Sequence, residues 1–177
     1  MVSSSLALRD IPIPDYCDVV IVPTRGVQVR DPQVWAEAIF AHENASLAMR
    51  GARALFDEAL RMVDIVPSPR GELVTDEVRG NEALIVDDNA HRMLRIAVEV
   101  DENAPLLKVT TAIKFRTLRG KLAFIPRKLT HAAFVNTLAR RAPVTVRRRL
   151  VNGTQRTSAL PTRSTAPARQ IEKRGEG

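Results

Sequence analysis

Hydrophobic positions along the chain change period once, and that change organises everything around it. From Leu106 to Phe115 they alternate. Leu107, Val109, Thr111, Ile113 and Phe115 fall on one side of an extended segment, and Leu106, Lys108, Thr110, Ala112 and Lys114 on the other. Past Leu118-Arg-Gly120 the spacing becomes three and four, placing Leu118, Leu122, Ile125, Leu129 and Ala132/Ala133 in one apolar stripe. A long strand feeding a long helix predicts a helix laid across a sheet.

Upstream segments supply the rest of such a layer. Residues 1–14 have no period, and Pro12 and Pro14 predict an extended N-terminal segment. Asp15 to Pro23 is a β-branched run closed by proline, a first strand. Asp31-Pro32 predicts a helix start, an N-cap carboxylate followed by proline at the first helical position, with Val34, Trp35, Ala38 and Ile39 as its apolar stripe. Asn44 or Ser46 then caps a second helix reaching toward Pro67, in which Ala48, Ala52, Leu55, Phe56, Ala59, Met62 and Val63 hold helical spacing. An antiparallel meander is expected next. It comprises a weak strand near Leu73–Thr75, a turn at Arg79-Gly80, a strand over Glu82–Val86 and a turn at Asp87–Ala90. Its last strand has Leu94, Ile96, Val98 and Val100 on one face, and Asp101–Pro105 turns the chain back into Leu106.

Pro126 interrupts the final helix, so either the helix is kinked there or it begins there. Beyond it Leu129, Ala132 and Ala133 occupy one face and Phe134, Val135 and Leu138 another. A helix apolar on two sides is sandwiched or covered by a partner. Pro143 is expected to end it, leaving a disordered basic tail over 143–177 rich in Ser, Thr, Pro and Arg.

Charge sharpens this division. The chain carries a net +7, yet residues 140–177 hold ten Lys/Arg against two acids, so the excess lies in the tail and residues 1–139 are nearly neutral. A nucleic-acid-binding fold would carry its basic patch on the folded body. Arg147, Arg148 and Arg149 are the natural contact for an anionic surface, but no aromatics are interleaved for stacking on bases, which argues against sequence-specific nucleic acid binding. One cysteine, Cys17, and three histidines make neither a disulfide nor a Cys/His metal site. Cys17 reads as an inert core thiol, and a reducing cytoplasm is the expected compartment. No apolar run approaches the length of a membrane span, and the N-terminus lacks the pattern of a signal peptide.

Several pieces carry a resemblance when taken in order: Asp15-Tyr-Cys-Asp18, Asp31-Pro-Gln-Val-Trp35, Asn81-Glu82 with Asp87-Asp-Asn-Ala-His91, Val109-Thr-Thr-Ala-Ile113, Leu118-Arg-Gly120, and His131 leading to Arg140-Arg-Ala142. Together they resemble an uncharacterised bacterial domain family (the DUF 2867 type). The element order is similar to that of helix-grip proteins of the polyketide-cyclase and START-like kind. The chain departs from the family at Leu129-Thr130-His131, where a Pro-aromatic-His triplet is usual. The segments above, with this resemblance, predict an α+β fold over 15–142, a curved antiparallel sheet of about five strands around a long C-terminal helix, with two short helices near the N-terminus. The resemblance implies no established activity.

Candidate chemistry is sparse. His131 on the last helix is the best-placed titratable side chain for proton transfer, with Glu82 and His91 as weaker companions that no spacing joins to it. Each has a plainer reading: a partly buried histidine, a surface glutamate, and a hairpin residue bonding its own loop. Trp35, Phe115 and Phe134 are the candidate walls of an apolar cavity. Phosphate-binding, dinucleotide-binding, zinc-protease and α/β-hydrolase motifs are missing, and no cofactor or metal is expected. The sequence therefore favours a module binding an apolar small molecule or lipid between sheet and helix. Alternatives are a cofactorless cyclase, dehydratase or isomerase using His131, and an interaction module, possible as a homodimer.

Overall fold

A computed structural model of the chain describes residues 5–47, 50–51 and 73–158. Its elements are α1 (Leu6–Arg9), β1 (Tyr16–Pro23), α2 (Pro32–Phe40), a 3-10 turn (His42–Asn44), β2 (Glu77–Arg79), β3 (Glu82–Asp88), β4 (Arg92–Val100), β5 (Leu106–Phe115) and α3 (Leu118–Ser158). The five strands form one curved, open, fully antiparallel sheet in the order β1-β5-β4-β3-β2. The α+β class and five-strand sheet are as expected. The second helix expected between Asn44 and Pro67 lies largely outside the described residues.

Alternation explains the layering. Leu94, Ile96, Val98 and Val100 of β4 pair with Ile113, Thr111, Val109 and Leu107 of β5, which in turn face Tyr16, Asp18, Val20 and Val22 of β1. These rows carry the main core, closed by Trp35, Ala36, Ala38 and Ile39 of α2 and by Phe124, Val135, Leu138, Ala139, Ala142 and Val146 of α3. Asp31 caps α2 by accepting from the Gln33 amide at 2.8 Å, with Pro32 at the first helical position. At the far edge, Gly80 (φ 59°) takes the first central position of the two-residue β2–β3 turn, where a side chain would be strained.

The N-terminal segment is not extended over residues 5–9. Ser5 and Leu6–Arg9 fold as a single helical turn on the opposite face of the sheet, and Leu6, Ala7 and Ile11 cover Leu84, Ala97 and Ala112. The two alanines leave the space that α1 fills. Glu82 anchors this turn, accepting from Ser5 Oγ at 2.5 Å and from the Leu6 amide at 3.0 Å. A carboxylate at a helix start satisfies amides that have no partner within the helix. Arg95 is buried on the same face and ion-paired to Asp88 and Asp10.

The long helix departs from expectation in two ways. Its buried stripe is Phe124, Val135, Leu138, Ala142 and Val146, whereas Leu118, Leu122 and Ile125 point to solvent. It also runs through both prolines, so the body extends to Ser158 and residues 143–158 are not a disordered tail. Pro126 lies on an exposed face, where water can serve the carbonyl it leaves unpaired. Around Pro143 the fold supplies its own support. Buried Asn44 donates to the carbonyls of Ile39 (2.9 Å) and Leu138 (2.8 Å) and accepts from Thr145 Oγ1 at 3.1 Å. Asn44 therefore ties the end of α2 to α3 in the turn where the proline weakens the helical ladder. It is a clamp, not the cap of another helix.

The start of α3 is held by the β3–β4 turn. The Arg116 amide donates to the His91 carbonyl at 2.8 Å, His91 Nδ1 lies 3.0 Å from Thr117 Oγ1, and Thr117 Oγ1 accepts from the Gly120 amide at 3.2 Å. A Cβ on Gly120 would lie 2.6 Å from the His91 carbonyl oxygen, so this contact requires glycine.

Candidate functional site

One group of polar side chains sits inside the main apolar layer. The β1 alternation that turns Val20 and Val22 inward also turns Tyr16 and Asp18 inward. An inward carboxylate on a strand is rare unless it is paired. Here it is paired from two sides. Tyr16 Oη donates to Asp18 Oδ2 at 2.7 Å, and His131 Nδ1, reaching down from α3, lies 2.9 Å from the same oxygen. Both ends of the His131–Asp18 pair are largely buried, with 15% and 11% of the side chains exposed.

Aromatic rings wall this group. The Phe124 ring lies 5.0 Å from Tyr16, 5.5 Å from Phe115 and 5.9 Å from His131, and Tyr16 meets His131 edge-on at 5.5 Å. Such contacts leave the polar atoms few partners beyond one another. Asp18 Oδ1 and Thr111 Oγ1, on directly opposed residues of β1 and β5, are each buried without a formed hydrogen bond.

Burial by itself pushes the Asp18 carboxyl up. The hydrogen bonds from His131 and Tyr16 outweigh it and hold the carboxyl below the ordinary carboxylate range. The Thr111 hydroxyl is near enough to favour the charged form without meeting hydrogen-bond geometry. Burial, and then the bond to Asp18, raise the Tyr16 phenol, so it remains a donor at neutral pH. With Asp18 ionised, a hydrogen bond between the two requires the proton on His131 Nδ1, which fixes the orientation of the ring.

Folding thus lowers the Asp18 pKa, which fixes the sign of its pH dependence. Its stabilisation is complete above the ordinary carboxylate value of about 4 and is lost as the pH falls toward the lower folded value. The gap in urea midpoint between the wild-type chain and Asp18→Asn is therefore expected to be widest at neutral pH and to close in acid. A gap that stays constant down to pH 3 would sink this account.

The other sequence candidates do not join His131. Glu82 lies on the opposite face of the sheet, bound to Ser5 and Leu6, and so is not a cavity acid. His91 sits in the β3–β4 turn, its amide bonded to Asn89 Oδ1 and its ring to Thr117. Trp35 is wholly buried, its indole donating to the Val29 carbonyl at 2.8 Å, and Phe134 packs partly buried against the main core. Phe115 joins the aromatic group around His131 through its ring contact with Phe124. Arg147 donates to the Arg25 carbonyl, at a turn where Arg25 and Gly26 both adopt positive φ, and Arg149 pairs with Glu43 at 3.0 Å. Two members of the arginine triplet therefore serve the fold. Cys17 is exposed on the outer side of β1, not in the core. Partial desolvation of its thiol, and then the Asp18 charge, push its pKa up, the reverse of an activated nucleophile.

Sequence reasoning missed Tyr16 and Asp18. The signal was available, because extending the β1 alternation back from Val22 and Val20 reaches both. Their meeting with a histidine more than a hundred residues away was not readable. Comparison with family models, with curated proteins and with solved structures finds no match to this chain.

Proposed function

We propose that this chain is a binding module for an apolar, aromatic small molecule that carries a hydrogen-bond donor, held between β1, β5 and α3. The observation behind this reading is the buried Asp18 Oδ1, which has only the imperfectly placed Thr111 hydroxyl beside it and is set among Tyr16, Phe115, Phe124 and His131. A buried charged oxygen without a well-aligned donor is costly, and a ligand O–H or N–H placed there supplies a charge-assisted bond. The aromatic walls provide the apolar contact. The resemblance to helix-grip proteins, which hold ligands between a curved sheet and the last helix, agrees with this placement.

Binding of 2-naphthol, compared with naphthalene, tests the reading. A bond to a buried charge is worth about 1.5–3 kcal/mol, so the naphthol is expected to bind roughly tenfold or more tightly. Asp18→Asn is expected to narrow that preference. Equal affinities, or no saturable binding of either compound together with a bare chain mass in native mass spectrometry, would overturn it.

A second reading is proton transfer by His131, favoured by the Nδ1 contact that orients the ring and leaves Nε2 as base. Recovery of the bound molecule separates the two. An unchanged compound supports binding alone, whereas conversion that His131→Gln abolishes supports catalysis.

A further inference from the structure

The outward face of α3 has a composition that packing does not explain. Leu118, Leu122 and Ile125 recur at steps of four and three on the side of the helix away from the core, and are 71%, 56% and 57% exposed. Exposed Lys121 and Lys128 flank this stripe on one side and exposed Arg119 flanks it on the other. Between Leu118 and Ser158 the sequence contains ten Lys/Arg and no Asp or Glu. An apolar stripe bordered by cations on both sides is the pattern of a helix lying in a bilayer interface, with apolar side chains at the acyl boundary and basic ones at anionic headgroups.

We propose that this face of α3 docks on the surface of an anionic lipid bilayer, independently of any ligand held near His131. Charge decides between the possible occupants. A second copy would bring one acid-free basic face against another, placing like charges together around the apolar centre. Nucleic acid would satisfy the cations but would leave Leu118, Leu122 and Ile125 with nothing apolar to cover them, and the exposed stripe has no aromatic ring to stack on bases. An anionic bilayer satisfies both components at once, each basic residue near it contributing about 1 kcal/mol. Among the described residues no helix is long and apolar enough to cross a membrane, so the contact proposed is with the surface.

The test is flotation of the full chain with vesicles of phosphatidylcholine and phosphatidylglycerol, against vesicles of phosphatidylcholine alone. Binding is expected only with the anionic lipid and is expected to weaken as salt is raised. The paired substitution Leu122→Ser and Ile125→Ser leaves the charge unchanged and alters exposed positions. It is expected to retain the wild-type circular dichroism and to reduce the partition coefficient about tenfold. No binding to the anionic vesicles would overturn the proposal. So would binding that the serine pair leaves intact, because charge alone would then account for it. Two further results would overturn it: a dimer in light scattering that the serine pair dissociates, or RNA binding that matches vesicle binding in strength and ignores the serine pair.

Discussion

Replacing Trp35 by alanine is expected to cost about 3–5 kcal/mol of unfolding free energy. The indole is wholly buried in the main core, within the helix that packs between β3, β4 and α3. Truncation loses its apolar burial and leaves a cavity that neighbouring elements cannot fill by collapse. It also deprives the Val29 carbonyl of its donor, adding about 1–3 kcal/mol if no water replaces it. Small domains are stable by only about 5–15 kcal/mol, so the loss would remove a large share of the chain's stability. Trp35 is the single tryptophan, so the urea transition is best followed by far-ultraviolet circular dichroism. Trp35→Phe, which keeps most of the volume, should lose much less. Equal midpoints for the wild-type and alanine chains would mean that α2 does not close the core.

Gly120→Ala should reverse the usual helical trend. Exchanging glycine for alanine inside a helix ordinarily stabilises by up to about 1 kcal/mol. Here the added methyl meets the His91 carbonyl at 2.6 Å and His91 Cβ at 3.0 Å. The obstacle is backbone, so the β3–β4 turn must move away from α3 and strain the bonds from Arg116 and Thr117 to His91. A loss of about 1–3 kcal/mol is expected, as for overpacking elsewhere. Denaturant titration measures it, and a neutral or stabilising result would mean that the turn and helix can separate at no cost.

The sheet was readable to a large extent because its information is local. Alternation in β4 and β5, the Asp31-Pro32 start of α2 and the turn at Arg79-Gly80 each bind neighbouring residues to one geometry, and the structure keeps all of them. The candidate site was half-readable. His131 was singled out, whereas Tyr16 and Asp18 came to light only when β5 paired with β1 and α3 crossed above them. Glu82 shows the reverse error. Its sequence position was compatible with a cavity, and the short helix at Leu6–Arg9 claimed it for the other face.

The sequence by itself determined the class of fold and the strand faces, because period-two burial and turn chemistry act over a few residues. It also determined that α3 is acid-free and apolar on more than one side. Only the tertiary structure decided which side of α3 is buried. Two apolar stripes competed, and the one bearing Phe124, Val135 and Leu138 matches the sheet and α2. Only the tertiary structure carried the helix past Pro143, since Asn44, about a hundred residues away in sequence, supports that turn through Leu138 and Thr145. Propensity penalises a proline by about 3 kcal/mol in isolation, and packing around it can offset that penalty once the chain has folded.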